Sequence, residues 1–366
     1  METGHGDRAL HDFQPLAHIP PLHNGIPPEL IDRFDPVFVD YYQKYNVGRL
    51  HWDEVPIDEF RANPSIYTII YGRATGPDVF RITEQKCPVR GGEITIRIFE
   101  PAPVMDSTGL PRPRAAFVNF HGGCWIVGGL SSDHGYCKQL VDGLNGDLVV
   151  FDVDYRLAPE HPYPVPIEDC WEAFQWIRRE KLDELNLDPM RFAVGGVSAG
   201  GHISAVVAHL CRDNQIPLRL QVLCVPICDL HNVFTPDGNF DSESCPYESY
   251  REMQFSAGMT QHRMQHCYRQ FVGHLGQQRQ PDDWRISPIL APSFVDLAPA
   301  LVYTAEMDPL RDEGEAYVAK LEAAGCRVRF KRVLGAPHSF AVLDGILESG
   351  KMFNREVIEV LKTELS

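Results

Sequence analysis

From residue 115 to the C-terminus, short apolar segments of strand length alternate with longer segments of helical periodicity. The strand candidates are residues 115–120, 147–153, 191–197, 218–226, 299–305 and 328–334. The helix candidates are residues 167–185, 200–213, 312–325 and 345–365. Strands that alternate with helices form right-handed βαβ units, so this pattern predicts an α/β fold with a mostly parallel, doubly wound sheet.

The residues before this alternating region carry other patterns. Residues 78–86 and 91–101 alternate apolar and polar side chains around a turn, which predicts an antiparallel hairpin. Two segments within residues 28–75 show helical spacing that is broken by prolines, and residues 1–27 are rich in His, Pro and Gly without any period. We therefore expect a flexible tail over 1–27, an N-terminal helical segment over 28–75 and an α/β body over 76–366.

A long insertion at about residues 229–290 interrupts the alternation. Its residues 248–275 form a helix candidate that is rich in Met, His and aromatic side chains. Insertions of this length in compact α/β domains are usually lids or binding elements, which predicts a cap over the carboxyl edge of the sheet; an amphipathic helix packed on the body is the alternative. The side chains expected either in an adaptable apolar pocket wall or in the core are Met253, Phe255, Met259, Met264 and Tyr268.

Charge and composition exclude several classes of protein. The 34 basic and 50 acidic residues give a formal net charge of −16, which argues against a nucleic-acid partner. No stretch approaches the roughly 20 apolar residues of a membrane span, and the N-terminus has no apolar run of signal-peptide length. We therefore expect a cytoplasmic protein without an integral membrane segment. The 10 cysteines include no CxxC pair, which indicates buried free thiols rather than a metal site or a disulfide framework.

A Gly-x-Ser-x-Gly motif, Gly196-Val197-Ser198-Ala199-Gly200, lies between a strand candidate and a helix candidate. Glycines two positions before and after the serine permit a sharp turn that lifts the serine Oγ out of the sheet, as in a nucleophile elbow. A purely structural turn is the alternative, but the strand before the motif and the helix after it favour the elbow. The motif therefore predicts that Ser198 is a nucleophile.

The run HGGCW directly follows the first strand candidate of the alternating region. Acyl transfer through a tetrahedral intermediate needs backbone N–H groups directed at the developing oxyanion, and glycines let a loop turn these groups into a cavity. We assign the N–H groups of Gly123, Cys124 and Ala199 to this oxyanion hole, with Gly122 as a residue that shapes the loop. His121 is interpreted as a loop anchor rather than a base, because it lies in the loop itself and precedes the serine.

A serine nucleophile needs a base and a carboxylate that orients the base, and the chain order in this topology is serine, acid, histidine. His338 is the only histidine beyond residue 274 and follows the last strand candidate, so it is the candidate base. Asp308 follows the preceding strand candidate, where a loop would place its carboxylate beside the histidine. Of its acidic neighbours, Glu306 is expected to lie on the strand and Asp312 to cap the next helix.

The order and spacing of these motifs resemble the hormone-sensitive lipase family of α/β-hydrolases. The matching runs, within about residues 80–366, are HGGCW, DYRLAPEHPYPVPIED (154–169), GVSAGG (196–201), TAEMDPLRDEG (304–314) and the loop of His338. The family's catalytic triad falls on Ser198, Asp308 and His338. The resemblance also implies an α/β-hydrolase catalytic domain over 76–366, a cap to which residues 28–75 contribute, and hydrolysis of carboxylic esters without a metal or an organic cofactor.

The chain departs from the family pattern at four positions. Cys124 stands where a third glycine is usual, Val197 where Asp or Thr is common, His202 where Asn is frequent, and Ser339 where a glycine usually follows the histidine. None of these changes removes a triad residue. Cys124 is interpreted as a packing residue that keeps its N–H and narrows the acyl side of the site.

We therefore predict a serine hydrolase that cleaves small to medium, neutral or apolar carboxylic esters through an acyl-enzyme. The alternatives are acyl transfer, cyclisation or elimination on a specialised metabolite, and hydrolysis of an N-formyl amide as in arylformamidases, which also tolerate a non-glycine in the oxyanion loop. A non-catalytic receptor similar to the gibberellin receptors is disfavoured, because those have lost the triad histidine and His338 is present here. The expected partner is a small-molecule ester, and the assembly state is left open, with a homodimer as one option.

Overall fold

The structure, a computed structural model, describes residues 23–273 and 283–366. Most of the predicted tail and residues 274–282 of the predicted insertion lie outside the described residues. The strands form one eight-stranded sheet in the order β1-β2-β4-β3-β5-β6-β7-β8. Their bounds are β1 Arg81–Val89, β2 Gly92–Glu100, β3 Arg114–Phe120, β4 Leu148–Asp154, β5 Leu187–Val197, β6 Leu220–Cys224, β7 Ala300–Met307 and β8 Val328–Pro337.

The first two strands form the predicted antiparallel hairpin, and β2 also pairs antiparallel with β4. Every later pairing, from β3 with β4 to β7 with β8, is parallel. The predicted α/β fold with a mostly parallel sheet is therefore confirmed. The central strands are nearly continuous apolar runs because helices cover both faces; all five residues of β6 are buried, for example.

Helices precede the sheet, connect its parallel strands and follow it. Their bounds are α1 Pro28–Ile31, α2 Pro36–Tyr45, α3 Ile57–Ala62, α4 Pro64–Tyr67, α5 His134–Gly143, α6 Val165–Glu180, α7 Ala199–Asp213, α8 Ser249–Glu252, α9 Gln261–Val272, α10 Arg311–Ala323 and α11 Glu348–Glu364. The four predicted helices of the alternating region correspond to α6, α7, α10 and α11, whereas α5 was not predicted. Within the described ranges, no helix has both the length and the apolar character that crossing a membrane requires.

The insertion differs from its prediction. A single helix over 248–275 is wrong, because the chain forms α8, leaves helical conformation after Glu252 and starts α9 only at Gln261. Gly258 in the intervening segment has φ +84°, which ends any right-handed helix. The Thr260 hydroxyl then accepts a hydrogen bond from Arg263 N at 3.0 Å and caps α9.

Candidate active site

Ser198 lies at the turn between β5 and α7, with φ +59° and ψ −117°. The flanking glycines are required because β3 passes close to this turn. A Cβ on Gly196 would lie 2.2 Å from Phe120 O, and a Cβ on Gly200 would lie 1.8 Å from the same oxygen. The Ser198 Oγ is buried and has no hydrogen-bond partner within residues 23–273 and 283–366, so no hydrogen bond joins it to His338.

The loop that follows β3 packs directly on this turn. A Cβ on Gly122 would lie 2.7 Å from Val197 O and 3.7 Å from Ser198 Cβ, so only glycine allows this approach. Gly123 has φ +119°, and Cys124 also lies at positive φ, at +55°. In the part of the chain that the structure describes, the N–H groups of Gly123 and Cys124 donate to no backbone carbonyl. They are therefore available to a ligand.

Ala199 and His121 are the other two residues for which the sequence predicted a role in this turn and loop. Ala199 is the first residue of α7, so its N–H belongs to the unpaired N–H groups that begin a helix. His121 is fully buried and stacks on Tyr155, with ring centroids 4.2 Å apart. Its Nδ1 lies 2.7 Å from Gly122 O, and burial lowers its pKa. His121 is thus a neutral, packed residue of the loop.

Asp308 and His338 meet at the carboxyl ends of the adjacent strands β7 and β8. His338 Nδ1 lies 2.7 Å from Asp308 Oδ2, and Asp308 Oδ1 accepts a hydrogen bond from Leu310 N at 3.0 Å. Asp308 is fully buried and His338 is 7% exposed. When Nδ1 carries the proton shared with the carboxylate, Nε2 is left as the basic atom of the ring.

A cavity of about 580 Å³ contains Ser198 and His338 together with the loop of Gly122 to Cys124. Asp308 lies behind His338 and does not line it. The N-terminal segment supplies the apolar side chains of Trp52, Phe60 and Ile69 to its wall, and the insertion supplies Met259. Val127, in the loop after β3, and Val342, after β8, complete the apolar lining. Sequence reasoning did not identify the residues of the N-terminal segment individually, because no motif marks them.

Of the arginines in the described part of the chain, three line the cavity, and each of them pairs with a carboxylate. The pairs are Arg61 with Glu160 at 2.9 Å, Arg73 with Asp133 at 2.8 Å, and Arg263 with Asp53 at 2.8 Å. None of these three carboxylates lines the cavity. The formal charges therefore cancel in pairs, and the wall presents apolar surface and neutralised guanidinium groups.

The predictions for Asp312 and Phe255 are wrong, whereas those for the other four side chains of the insertion are confirmed. The helix α10 begins at Arg311, so Asp312 lies inside its first turn, and no side chain caps the helix at Leu310. Of the five insertion side chains expected in the wall or the core, Met259 lines the cavity, Met253, Met264 and Tyr268 are buried, and Phe255 is 61% exposed.

The cysteine side chains are mostly buried. All 10 cysteines lie within the described residues as free thiols, and 9 of them are buried. Among residues 23–273 and 283–366, no group of three His, Cys, Asp or Glu side chains is arranged to hold a metal ion.

Comparison with known proteins gives consistent results. Residues 117–342 match the family model described as alpha/beta hydrolase fold. The chain is 35% identical over 295 residues to the carboxylic ester hydrolase LipN of Mycobacterium tuberculosis, which covers 80% of this chain and 73% of LipN. Among solved structures, it is similar to EstE1, a thermophilic carboxylesterase from a metagenomic library, with 31% identity, a TM-score of 0.69 and coverage of 80% of this chain and 92% of EstE1. An ester hydrolase from the metagenome of Lake Arreo, solved with a phosphonate derivative, gives 28% identity, a TM-score of 0.74 and coverage of 92% and 98%.

Proposed function

The chain belongs to the hormone-sensitive-lipase-like members of the alpha/beta hydrolase fold family and is a carboxylic ester hydrolase, and from this premise we propose that Ser198, His338 and Asp308 form its catalytic triad. The observation that carries the proposal is the hydrogen bond between His338 Nδ1 and Asp308 Oδ2, made at the cavity that holds Ser198. Among the residues that the structure describes, no other histidine lines this cavity.

The first half-reaction acylates the enzyme. Ser198 Oγ attacks the ester carbonyl carbon while His338 Nε2 takes the hydroxyl proton, and Asp308 stabilises the imidazolium that forms. The N–H groups of Gly123, Cys124 and Ala199 bind the oxyanion of the tetrahedral intermediate. When the carbon–oxygen bond to the alcohol breaks, His338 gives its proton to the leaving alkoxide, and the acyl group remains on Ser198.

The second half-reaction releases the acid. A water molecule attacks the acyl carbonyl and gives its proton to His338, and the oxyanion forms again in the same site. Collapse of this intermediate breaks the bond to Ser198 Oγ, which recovers its proton from His338. The carboxylic acid leaves, and the enzyme returns to its starting state.

The proposed substrates are small to medium esters without a charge. A cavity of about 580 Å³ accommodates a substrate of that size, and its aromatic and aliphatic wall favours apolar acyl or alcohol groups. The arginines of the wall support the same conclusion, because each is already paired with a carboxylate. A charged ester would gain no unpaired counter-ion there.

A fluorophosphonate probe tests the assignment of the nucleophile. We expect stoichiometric labelling of Ser198, and we expect Ser198→Ala to abolish labelling and lower ester turnover by a factor on the order of 10⁵ or more. Ser131→Ala is the matched control, because Ser131 lies in the same cavity but is not assigned a role. Labelling that survives Ser198→Ala would refute the triad. Full labelling with negligible turnover of p-nitrophenyl esters would instead indicate acyl transfer to an acceptor other than water.

A further inference from the structure

The backbone carbonyls of Met307 and Pro309, the residues on either side of Asp308, both accept hydrogen bonds from serine hydroxyls of the insertion. Ser256 Oγ donates to Met307 O, the carbonyl immediately before Asp308. Ser249 Oγ donates to Pro309 O, the carbonyl of the residue after Asp308, at 2.6 Å. The carbonyl of Asp308 itself accepts a hydrogen bond from Arg311 N at 3.2 Å. Both serines are fully buried, so neither hydroxyl can exchange its partner for bulk water.

The Ser249 hydroxyl has a second partner on the same loop. It accepts a hydrogen bond from Asp312 N at 3.2 Å, while Ser249 N donates to Asp312 Oδ2 at 2.7 Å. One buried serine therefore connects the start of α8 to both ends of the turn that leads from Asp308 into α10. The Asp312 carboxylate, expected at a helix cap, serves this connection instead.

The sheet itself constrains this part of the chain weakly. The pairing of β7 with β8 is irregular between Ala305 and Met307, and Met307 lies opposite Pro337, which has no N–H to donate. The loop of Asp308 therefore begins where regular ladder hydrogen bonds end. The two serine hydroxyls donate to backbone carbonyls at the point where β7 and β8 no longer pair regularly.

An ion pair and a buried hydrogen bond also join α8 to the first turn of α10. Glu252 of α8 forms an ion pair with Arg311 at 3.0 Å, and Tyr250 OH donates to Glu313 Oε2 at 3.0 Å. Burial raises the pKa of Glu313 well above its usual value. The segment from Ser249 to Ser256 is thus fixed to the loop and first turn that carry Asp308.

We propose that Ser249 and Ser256 are positioning residues that orient the Asp308 carboxylate toward His338, an inference that rests on the proposed triad. The bond from Ser256 holds the peptide plane that precedes Asp308, and the bond from Ser249 holds the peptide plane that follows Pro309, so together they restrain the backbone on either side of Asp308. Small displacements of catalytic groups are costly, with about 10²-fold lost for a misplacement of 1 Å. The insertion is therefore part of the catalytic apparatus at this end, in addition to being a wall of the cavity.

The experiment compares Ser249→Ala, Ser256→Ala and the double variant with the wild-type enzyme. Ser287→Ala is the matched control, because Ser287 is also a fully buried serine whose hydroxyl has a backbone partner, but that partner is His231 N and not the loop of Asp308. Active sites are counted by fluorophosphonate titration, and kcat and KM are measured per active site with a short-chain p-nitrophenyl ester.

We expect kcat to fall by about tenfold in each single variant and by about a hundredfold in the double variant. KM should stay within about twofold, because neither serine lines the cavity. Ser256→Thr, which keeps the hydroxyl, should recover most of the lost kcat. Single and double variants with wild-type kcat per active site would overturn the proposal, as would an equal loss of kcat in Ser287→Ala.

Asp308→Asn, measured in the same series, separates this inference from the proposed function. If Asp308→Asn lowers kcat strongly and the serine variants do not, the triad stands and the positioning role fails. If Asp308→Asn retains wild-type kcat, Asp308 is not the orienting acid, and both proposals fall. If the serine variants fail to fold, Ser256→Thr and Ser249→Thr still decide the question, because a positioning hydroxyl predicts that both keep kcat near the wild-type value.

Discussion

Cys124 adopts a left-handed backbone conformation that residues with a Cβ rarely take. It has φ +55° in the loop after β3, although the left-handed region costs a residue with a Cβ about 1–2 kcal/mol. Both Cys124→Gly and Cys124→Ala lose the buried thiol, but the glycine variant removes this conformational cost whereas the alanine variant keeps it. We therefore expect the glycine variant to be more stable than the alanine variant by about 1 kcal/mol, after allowing for the greater entropy of glycine in the unfolded chain.

Urea unfolding of the two variants measures this difference directly. Both variants keep the backbone N–H at position 124, so both should retain fluorophosphonate labelling of Ser198. An alanine variant that equals or exceeds the glycine variant in stability would contradict the strain at this position. Loss of labelling in both would indicate that the thiol itself acts in the site.

His202 gives a residue-scale prediction about pH. Its Nδ1 accepts a hydrogen bond from Trp125 Nε1 at 3.3 Å, and burial lowers its pKa to about 4. Because the unfolded value is about 6.5, the unfolded chain binds more protons between these two values. The resulting stability is complete above about pH 6.5 and declines as the pH falls toward 4, by up to about 1.4 kcal/mol per pH unit.

Replacing His202 tests this dependence. His202→Asn keeps an acceptor for the indole N–H but cannot bind a proton, so its free energy of unfolding should vary less between pH 6.5 and 4.5 than that of the wild-type protein. His262→Asn, at an exposed position of α9, is the matched control. An unchanged pH dependence in His202→Asn would show that the ring is not the buried neutral group described here.

At the scale of elements, one buried ion pair joins the N-terminal segment to the insertion. Arg263 of α9 pairs with Asp53, and the two side chains are only 3% and 4% exposed. Arg263 also donates to Gly258 O and to His51 Nδ1. Arg263→Leu would leave the Asp53 carboxylate buried without its cation, and we expect it to destabilise the protein by about 3–5 kcal/mol.

Two further variants show whether the loss of stability comes from the unpaired buried charge. Adding Asp53→Leu to Arg263→Leu removes the uncompensated charge, so the double variant should be more stable than Arg263→Leu alone. Arg179→Leu, at an exposed ion pair with Glu180, should leave stability almost unchanged. Equal effects of Arg263→Leu and Arg179→Leu on the free energy of unfolding would show that the buried pair does not hold the two elements together.

The elements that the sequence predicted well are those with a long, regular apolar pattern. The strands of the alternating region and the hairpin agree with β1 to β8 within a few residues. The helix α5 was missed because a ten-residue segment with glycine at its second and last positions carries a weak helical pattern. The insertion was misjudged because spacing alone does not reveal that Gly258 and the cap of α9 divide it.

The candidate site was predictable where chemistry depends on chain order and glycine spacing. Gly196, Gly122 and Ser198 were identified from motifs whose glycines the close approach of β3 and its loop explains. Ser249 and Ser256 were not, because their role depends on contacts with residues about 50 to 60 positions away and serine is common in loops. No local pattern distinguishes such a serine from any other.

For the whole molecule, the uneven distribution of charge predicts selectivity among substrates. Residues 1–60 contain 11 acidic and 4 basic side chains, or −7 of the net −16. The described part of this segment, residues 23–60, holds 8 of these acidic and 3 of these basic side chains, and its Trp52 and Phe60 line the cavity. A negative field near the cavity slows the approach of anions, and salt screens it over a Debye length of about 10 Å at 0.1 M. We therefore expect a lower kcat/KM for an anionic ester than for a neutral ester of matched size at low ionic strength, and a smaller gap in 0.5 M NaCl. The pair is best a monoester of a dicarboxylic acid and its methyl-capped diester. Equal values at low salt, or a gap that salt leaves unchanged, would show that the acidity of this segment does not reach the site.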